Sequence, residues 1–435
     1  MQINKRLTEN QSNLLLLLVG ENPLPNAVAA CTLASPSSQI SLICSDSTKE
    51  TAKKLQIWLN QAGFNRIDII RVDEADPVSI CKELRLYLDN RPSQSIGLNY
   101  TGGTKLMSVH AYRTIEQWCN DKGILPNFSY LDARTLRMII GPTDPESGEG
   151  VSKSYVGRAI SLKIEDLMGL HGWPLLNQPN RTPFLPKFAT ALANAWADGY
   201  QEKWKEWKRY LSSPWSELKN PLSLSELKRS ETTLSLPDSF EFVRQAFREE
   251  TNLDPAGFLM GDLAKFFPGI DQPNLEIIRY LDGIWLEHHV LACLEKVAPE
   301  ARLSDFCQNI VLGTSQKNNE IKFELDAAAL RGYQFFGFSC TTEFNSVNEQ
   351  SHTKQKLFEA YVRTRQIGGD EASVALVCTH ETPRKLERQM SEMLYGPQDD
   401  FQLNPRVKVF GRADLRNLAS ATLKWIIEKQ GKEEQ

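Results

Sequence analysis

Three carboxylates stand where they can act together on a phosphodiester. Glu287 closes the run Gly283-Ile-Trp-Leu-Glu287, and Glu324 and Asp326 lie two apart in Phe323-Glu-Leu-Asp326. Phosphodiester hydrolysis with a divalent cation needs acids that converge on one or two metals. It also needs a group that stabilises or helps to generate the attacking hydroxide. In an extended strand residues i and i+2 share a face, so Glu324 and Asp326 can both reach one cation. A second cluster suits phosphate binding. Tyr100-Thr-Gly-Gly-Thr104 runs straight into Lys105. Gly102 and Gly103 let the backbone come close to a ligand, Thr101 and Thr104 add hydroxyls, and Lys105 adds a charge. A helix starting near Lys105 offers free N–H groups and the positive end of its dipole. GxGxxG is absent, which speaks against an ordinary dinucleotide site. The adjacent His288 and His289 point about 100° apart on a helix, so they do not chelate together. His380, just past a strand end, is a candidate contact for a substrate phosphate.

The elements that must position these groups follow from periodicity. Apolar runs at Leu14–Val19, Ile40–Cys44, Ile67–Val72 and Ser95–Asn99 read as buried strands. Between them, Lys49–Gln61 and Val78–Leu88 have helical periodicity; a helix over Lys105–Cys119 then precedes a strand near Phe128–Leu131. Such alternation predicts a parallel sheet covered on both faces, a Rossmann-like α/β domain over residues 1–165. The loop Gly20-Glu-Asn-Pro-Leu-Pro-Asn26 falls at the carboxyl edge of that sheet, beside the Gly-Gly loop. There Glu21 and Asn26 are candidates to read base edges or ribose hydroxyls. Residues 166–275, rich in proline and then in Trp and Lys, read as a small helical connector. Its run Trp204-Lys-Glu-Trp207-Lys-Arg-Tyr210 either stacks on a nucleic-acid strand or buries both tryptophans on an amphipathic helix. From 276 to 435 the pattern is helix (Asn274–Val297), hairpin (Ile321–Ala329 and Tyr333–Cys340 about Arg331-Gly332), helix (Thr353–Ile367, stopping at Gly368-Gly369) and strand (Ser373–Cys378).

Composition bounds the reading. The 435 residues are 41% hydrophobic and 24% charged, which suits two or three globular domains. A net charge of −4 means that any nucleic-acid site must be a local basic groove. Eight cysteines without a CxxC pair argue for reduced thiols in a cytoplasmic protein and against a zinc ribbon. The longest apolar run is too short to span a membrane and lacks the flanks of a signal peptide.

Asn99-Tyr-Thr-Gly-Gly-Thr-Lys-Leu-Met107, with Gly20-Glu-Asn-Pro-Leu-Pro-Asn26, resembles the CRISPR-associated Rossmann fold (CARF) domain of type III ancillary nucleases. The resemblance implies that cyclic oligoadenylate, usually the tetramer, binds across the two-fold interface of a homodimer. It places Gly20, Glu21, Asn22, Pro23, Asn26, Asn99, Thr101, Gly102, Gly103, Thr104 and Lys105 at the activator. Gly283-Ile-Trp-Leu-Glu287, Glu324-Leu-Asp326, Ser339-Cys-Thr-Thr342 and Gln366-Ile-Gly-Gly369 resemble the nuclease half of the same family. That half is a restriction-endonuclease-like PD-(D/E)xK domain, in which a helix supplies one acid and a hairpin the rest. The resemblance implies Mg²⁺ or Mn²⁺ held by Glu287, Asp326 and the Cys340 carbonyl, with Glu324 as a further acid.

Family members commonly carry an acid, any residue, then lysine where this chain has Ser339-Cys340-Thr341. On a helical wheel Leu357, Phe358 and Tyr361 define an apolar face with Lys354 beside it, placed to supply the missing charge; Lys356 falls opposite, with Glu359 and Arg363. One branch of the family has SCTT in the strand and a lysine pair before LFEA, so Lys354 and Lys356 both stand as catalytic candidates. The expected function is a type III CRISPR antiviral effector, in which the activator switches on cleavage of RNA and/or DNA. The alternative is a sensing protein whose degenerate nuclease domain signals to a partner.

Overall fold

In a computed structural model, residues 1–91, 95–141, 151–199, 201–212, 220–313, 321–342, 347–395 and 406–428 are described. The N-terminal part is built on β1 (Leu14–Leu18), β2 (Gln39–Cys44), β3 (Ile67–Arg71), β4 (Ile96–Asn99), β5 (Asn127–Asp132), β6 (Arg137–Gly141) and β7 (Ser152–Tyr155). Their order in the sheet is β3-β2-β1-β4-β5-β6-β7; the first five run parallel and the last two antiparallel. β1 is a run of five buried leucines because it has a core on each side. Leu15 and Leu17 face a core shared with helices α1 (Leu24–Leu33) and α2 (Lys49–Gln61). Leu14, Leu16 and Leu18 face the core under α3 (Pro77–Asp89) and α4 (Lys105–Lys122). The chain order reverses between β1 and β4, so the loops after these two strands flank one crevice at the carboxyl edge.

The C-terminal sheet is mixed. Antiparallel β8 (Asp305–Gly313), β9 (Ile321–Arg331) and β10 (Gln334–Thr341) are followed by parallel β11 (Ser373–Cys378) and β12 (Val407–Phe410), in that order. One face carries Ala327, Ala329, Phe336, Phe338 and Val377. It packs into a single core with the helices Pro186–Ala197, Gln201–Ser212 and Leu418–Glu428, and with α5 (Trp285–Ala301). The other face is covered in part by α6 (Val347–Gly368). Helix Gln201–Ser212 buries Trp204 and Trp207, at 2% and 0% exposure, so these rings are not a stacking platform for nucleic acid. Among the described residues no helix is long and apolar enough to cross a membrane.

The two halves meet without a gap. Cys307, Ile310, Leu312, Ala328, Leu330 and Phe335 belong to the same buried cluster as β1, α1 and α2. Gly332 takes φ +66°, and a methyl group there would fall 2.3 Å from the Gly157 carbonyl oxygen, so only glycine permits this approach. The Gly332 carbonyl accepts from Leu162 N–H at 3.1 Å, and His171 Nε2 lies 2.7 Å from the Ile367 carbonyl.

Glu371 is buried near this seam, and burial pushes its carboxyl up to about 7 from an ordinary 4.5. The native chain therefore keeps a proton up to about pH 7 that the unfolded chain loses near pH 4.5. Stability should fall by about 3 kcal/mol as pH rises through that window and level off above it. Melting curves of Glu371→Gln are expected to lack this fall; an identical pH profile would show that Glu371 titrates normally.

Candidate functional site

The crevice between β1 and β4 is shaped by close backbone contact. A methyl at Gly102 would lie 2.3 Å from the Leu18 carbonyl oxygen and 2.8 Å from Gly20 N, and Gly103 takes φ +74°. Thr104 caps α4, its hydroxyl accepting from Met107 N–H at 3.2 Å. Gly103, Thr104 and Lys105 are exposed at the start of this 18-residue helix, where an anion finds free N–H groups. Thr101 Oγ1 accepts from Leu131 N–H at 2.8 Å, which ties the loop to β5.

The other expected contacts divide into surface and scaffold. Glu21 is exposed and Asn22 partly so. Asn26 is fully buried, its Nδ2 donating to the Leu18 carbonyl at 2.8 Å; it secures the end of β1 and cannot read a base edge. Asn99 is also fully buried; its Nδ2 donates to Ser129 Oγ at 3.0 Å and its Oδ1 accepts from Thr101 N–H at 3.3 Å. Pro23 is buried as well, and Gly20 stands against the Gly-Gly loop. Tyr130, which the strand pattern alone did not single out, is 38% exposed beside the loop and stacks on Tyr100 at 5.9 Å.

The second site opens where the C-terminal sheet splits. β9 and β10 pair only as far as Ala327 and Phe338. Beyond that point Asp326 Oδ2 accepts from Cys340 N–H at 2.6 Å and from Ser339 Oγ at 3.2 Å. β10 stays in the sheet because Cys340 pairs with Val377 on its other side. The N–H and C=O of a strand residue point to the same side, so the Cys340 carbonyl faces the gap that Asp326 occupies.

Glu287 enters from α5. Helix Pro273–Arg279 runs through one π turn at Tyr280–Ile284 before α5 begins, so the long helix expected over Asn274–Val297 is interrupted. A π turn leaves carbonyls in poor register for α-helical bonding. Trp207 Nε1–H donates to the Leu281 carbonyl at 3.0 Å and Lys208 Nζ to the Asp282 carbonyl at 2.8 Å. The Trp/Lys run thus anchors the turn that sets the phase of Glu287. Gly283 abuts the end of β10, since a methyl there would lie 2.9 Å from Thr342 Oγ1.

The charges of these groups act on one another. Burial pushes Glu287 well above the usual carboxylate range; Asp326, Glu324 and Glu276 add repulsion and Lys356 opposes it. Burial also raises Asp326, against the Cys340 N–H, Lys356 and Ser339, while Glu359 raises it further. Glu324, at the solvent side, is raised by partial desolvation and by Asp326, against Arg279 and Lys356. Burial holds the Cys340 thiol protonated, which leaves it no role as a nucleophile. Among the described residues, no three or more His, Cys, Asp or Glu side chains are arranged to hold a metal ion.

The cation felt by all these groups is Lys356 rather than Lys354, contrary to the helical-wheel expectation. Thr353, Leu357, Ala360, Tyr361 and Thr364 are buried on α6, while Phe358 is 43% exposed. The buried stripe is therefore rotated away from Phe358, and the two lysines flank it on opposite sides. The Lys356 flank meets β9: Arg363 lies over the Phe323 ring at 5.0 Å and Glu359 acts on Asp326.

The histidines are structural. His288 Nδ1 accepts from Phe184 N–H at 2.9 Å, and burial lowers its pKa to about 3. His289 Nε2 lies 3.2 Å from the Leu415 carbonyl, and burial lowers its pKa to about 4. His380 is 8% exposed, its Nδ1 accepting from Thr382 N–H at 3.0 Å, which leaves little of it for a substrate. Glu276 and Arg279 were missed from sequence; they lie on helix Pro273–Arg279, which the π turn joins to α5.

Residues 14–124 match the Card1 CARF domain family. The whole chain is similar in structure to the protein VC1899 from Vibrio cholerae, with 16% identity and a TM-score of 0.65 over 96% of this chain and 98% of that one. It is likewise similar to Can2 from Sulfobacillus thermosulfidooxidans, solved in complex with cyclic tetra-adenylate, with 15% identity and a TM-score of 0.63 over 95% and 99%. No curated protein matches the chain. The chain thus joins a segment that matches the CARF domain family, residues 14–124, to a C-terminal α/β domain. At these identities the likeness to VC1899 and Can2 is one of fold.

Proposed function

We propose that this chain is an antiviral effector in which a cyclic oligoadenylate, cyclic tetra-adenylate first among them, controls metal-dependent hydrolysis of nucleic acid. The observation that carries the catalytic half is the split sheet. It supports a site in which Asp326 and the Cys340 carbonyl face the gap between β9 and β10 and the charges of Glu287 and Lys356 act on Asp326 and on one another. Mg²⁺ or Mn²⁺ fits this donor set, because the donors are hard oxygens and the carboxylates repel one another unless a cation joins them. Such ions are commonly held by one or two carboxylates together with water and substrate phosphate, so a cage of three side chains is not required. Glu287, Asp326 and the Cys340 carbonyl would hold the ion, which would supply Lewis-acid polarisation and an acidic bound water.

The chain's own contribution is positioning and charge. The Cys340 N–H and Ser339 hydroxyl fix one Asp326 oxygen. Lys356 offsets the clustered acids and is the group to neutralise charge on the scissile phosphate. Exposed Glu21, Gly103, Thr104 and Lys105, with the partly exposed Asn22, form the activator surface, and a homodimer would present two copies of it to a ring with internal symmetry.

Incubating the protein with supercoiled plasmid or RNA, with and without cyclic tetra-adenylate and Mn²⁺, tests this reading. Cleavage that depends on both additions is expected; activator binding without cleavage under any condition would make the chain a sensor alone. Gly102→Ala is expected to weaken calorimetric binding of the activator more than tenfold, since its methyl must push the loop off the end of β1, an overpacking cost of roughly 1–3 kcal/mol. Unchanged affinity would remove this loop from the binding site.

A further inference from the structure

We propose that Glu371 is a positioning residue through which the sensor loop carrying Asn22 sets the placement of α6, and so of Lys356, over the acid cleft. This rests on the function proposed above. α6 ends at Gly368, and Gly369 follows at φ +71°. A methyl at Gly369 would fall 2.3 Å from Asn22 Nδ2 and 2.8 Å from Glu371 Oε2. The carboxamide of the activator loop and the carboxyl at the foot of α6 therefore flank the same glycine. Asn22 Oδ1 is occupied, accepting from Leu24 N–H at 2.9 Å, which turns the amide nitrogen toward this junction.

Glu371 is 4% exposed, and its Oε1 is buried without a hydrogen-bond partner. A buried acceptor left unmatched is costly, and a small movement of Asn22 toward it would relieve that cost. The proposed device has two states: the donor apart from the unmatched acceptor, as in this structure, and the donor joined to it. A ligand that touches residues 20–26 favours one state over the other, which is the differential interaction that coupling requires. From Gly368 to Lys356 is twelve helical residues, roughly 18 Å along a rigid rod. A shift at the foot of α6 is carried to the end that holds the cation.

The test uses the full chain, cyclic tetra-adenylate as probe, Mn²⁺ and plasmid substrate, with Glu371→Ala and Glu371→Gln as variants. Glu371→Ala is expected to lower the ratio of activated to basal rate by about tenfold or more, while activator affinity stays within about twofold. Glu371→Gln, which keeps an acceptor of the same shape, is expected to hold the ratio within about threefold of wild type. A ratio unchanged in Glu371→Ala overturns the proposal, as does a loss of activator binding in parallel with activation. Should the alanine variant fail to fold, hydrogen exchange on the wild type decides: the activator must change protection at amides 364–371, and no change there overturns the proposal. A wild type that neither binds nor responds to the activator overturns the function proposed above and this inference with it. A responsive wild type with an unaffected alanine variant overturns this inference alone.

Discussion

Asp326→Asn should lose nucleic-acid cleavage by a factor of about 10²–10³ or more while activator binding is untouched. The asparagine keeps the shape and an oxygen that can accept from Cys340 N–H, so the split between β9 and β10 is preserved. What it removes is the negative charge that a cation and the attacking water both need. Asp326→Ala is expected to go further. It leaves the Cys340 N–H without its partner, a desolvation cost of roughly 1–3 kcal/mol, and should lower the melting temperature as well. Initial rates at saturating activator and Mn²⁺, with melting curves alongside, separate the two effects. An Asp326→Asn chain that still cleaves at near wild-type rate would move the chemistry elsewhere.

The second large effect is expected at Lys356. Lys356→Ala should reduce turnover by about 10²-fold, because its charge is the one acting on Glu287, Glu324 and Asp326 together. Lys356→Arg should recover only part of the loss, since a planar guanidinium does not replace a point charge in a confined site. Lys354→Ala should stay within about threefold of wild type. Single-turnover rates of the three variants at saturating activator give the comparison. If Lys354→Ala proves the damaging change, the flank of α6 that meets β9 has been misassigned.

The phase of α6, on which the choice between the two lysines turns, shows where the sequence stops being informative. Strand and helix alternation in the N-terminal half is plain, because β1, β2 and β4 are buried on both faces; β1 is five leucines in a row, and β2 and β4 are mostly apolar. The hairpin about Arg331-Gly332 and the helix stop at Gly368-Gly369 are equally direct, each marked by a glycine at positive φ. The phase of α6 is not, because its buried stripe uses Thr353 and Thr364 while Phe358 points outward. Binary patterning scores all three of those residues the wrong way. Asn26 and Asn99 misled in the opposite sense: polar side chains next to a ligand-binding loop, they hold the backbone instead of facing outward. The π turn has no periodic signature, and what stabilises it, Trp207, lies 74 residues away in sequence. β8 was also missed, broken in pattern by Asn309 at φ +55°.

The unbroken core between the two sheets bears on how proteins of this architecture can diversify. Domains joined by a polar linker can be exchanged by recombination, each half remaining soluble in its new context. Here a crossover near the seam would break the buried cluster that Leu312, Ala328 and Phe335 share with β1 and α2, and would part Gly332 from Gly157. The transplanted half would carry an apolar scar prone to aggregation.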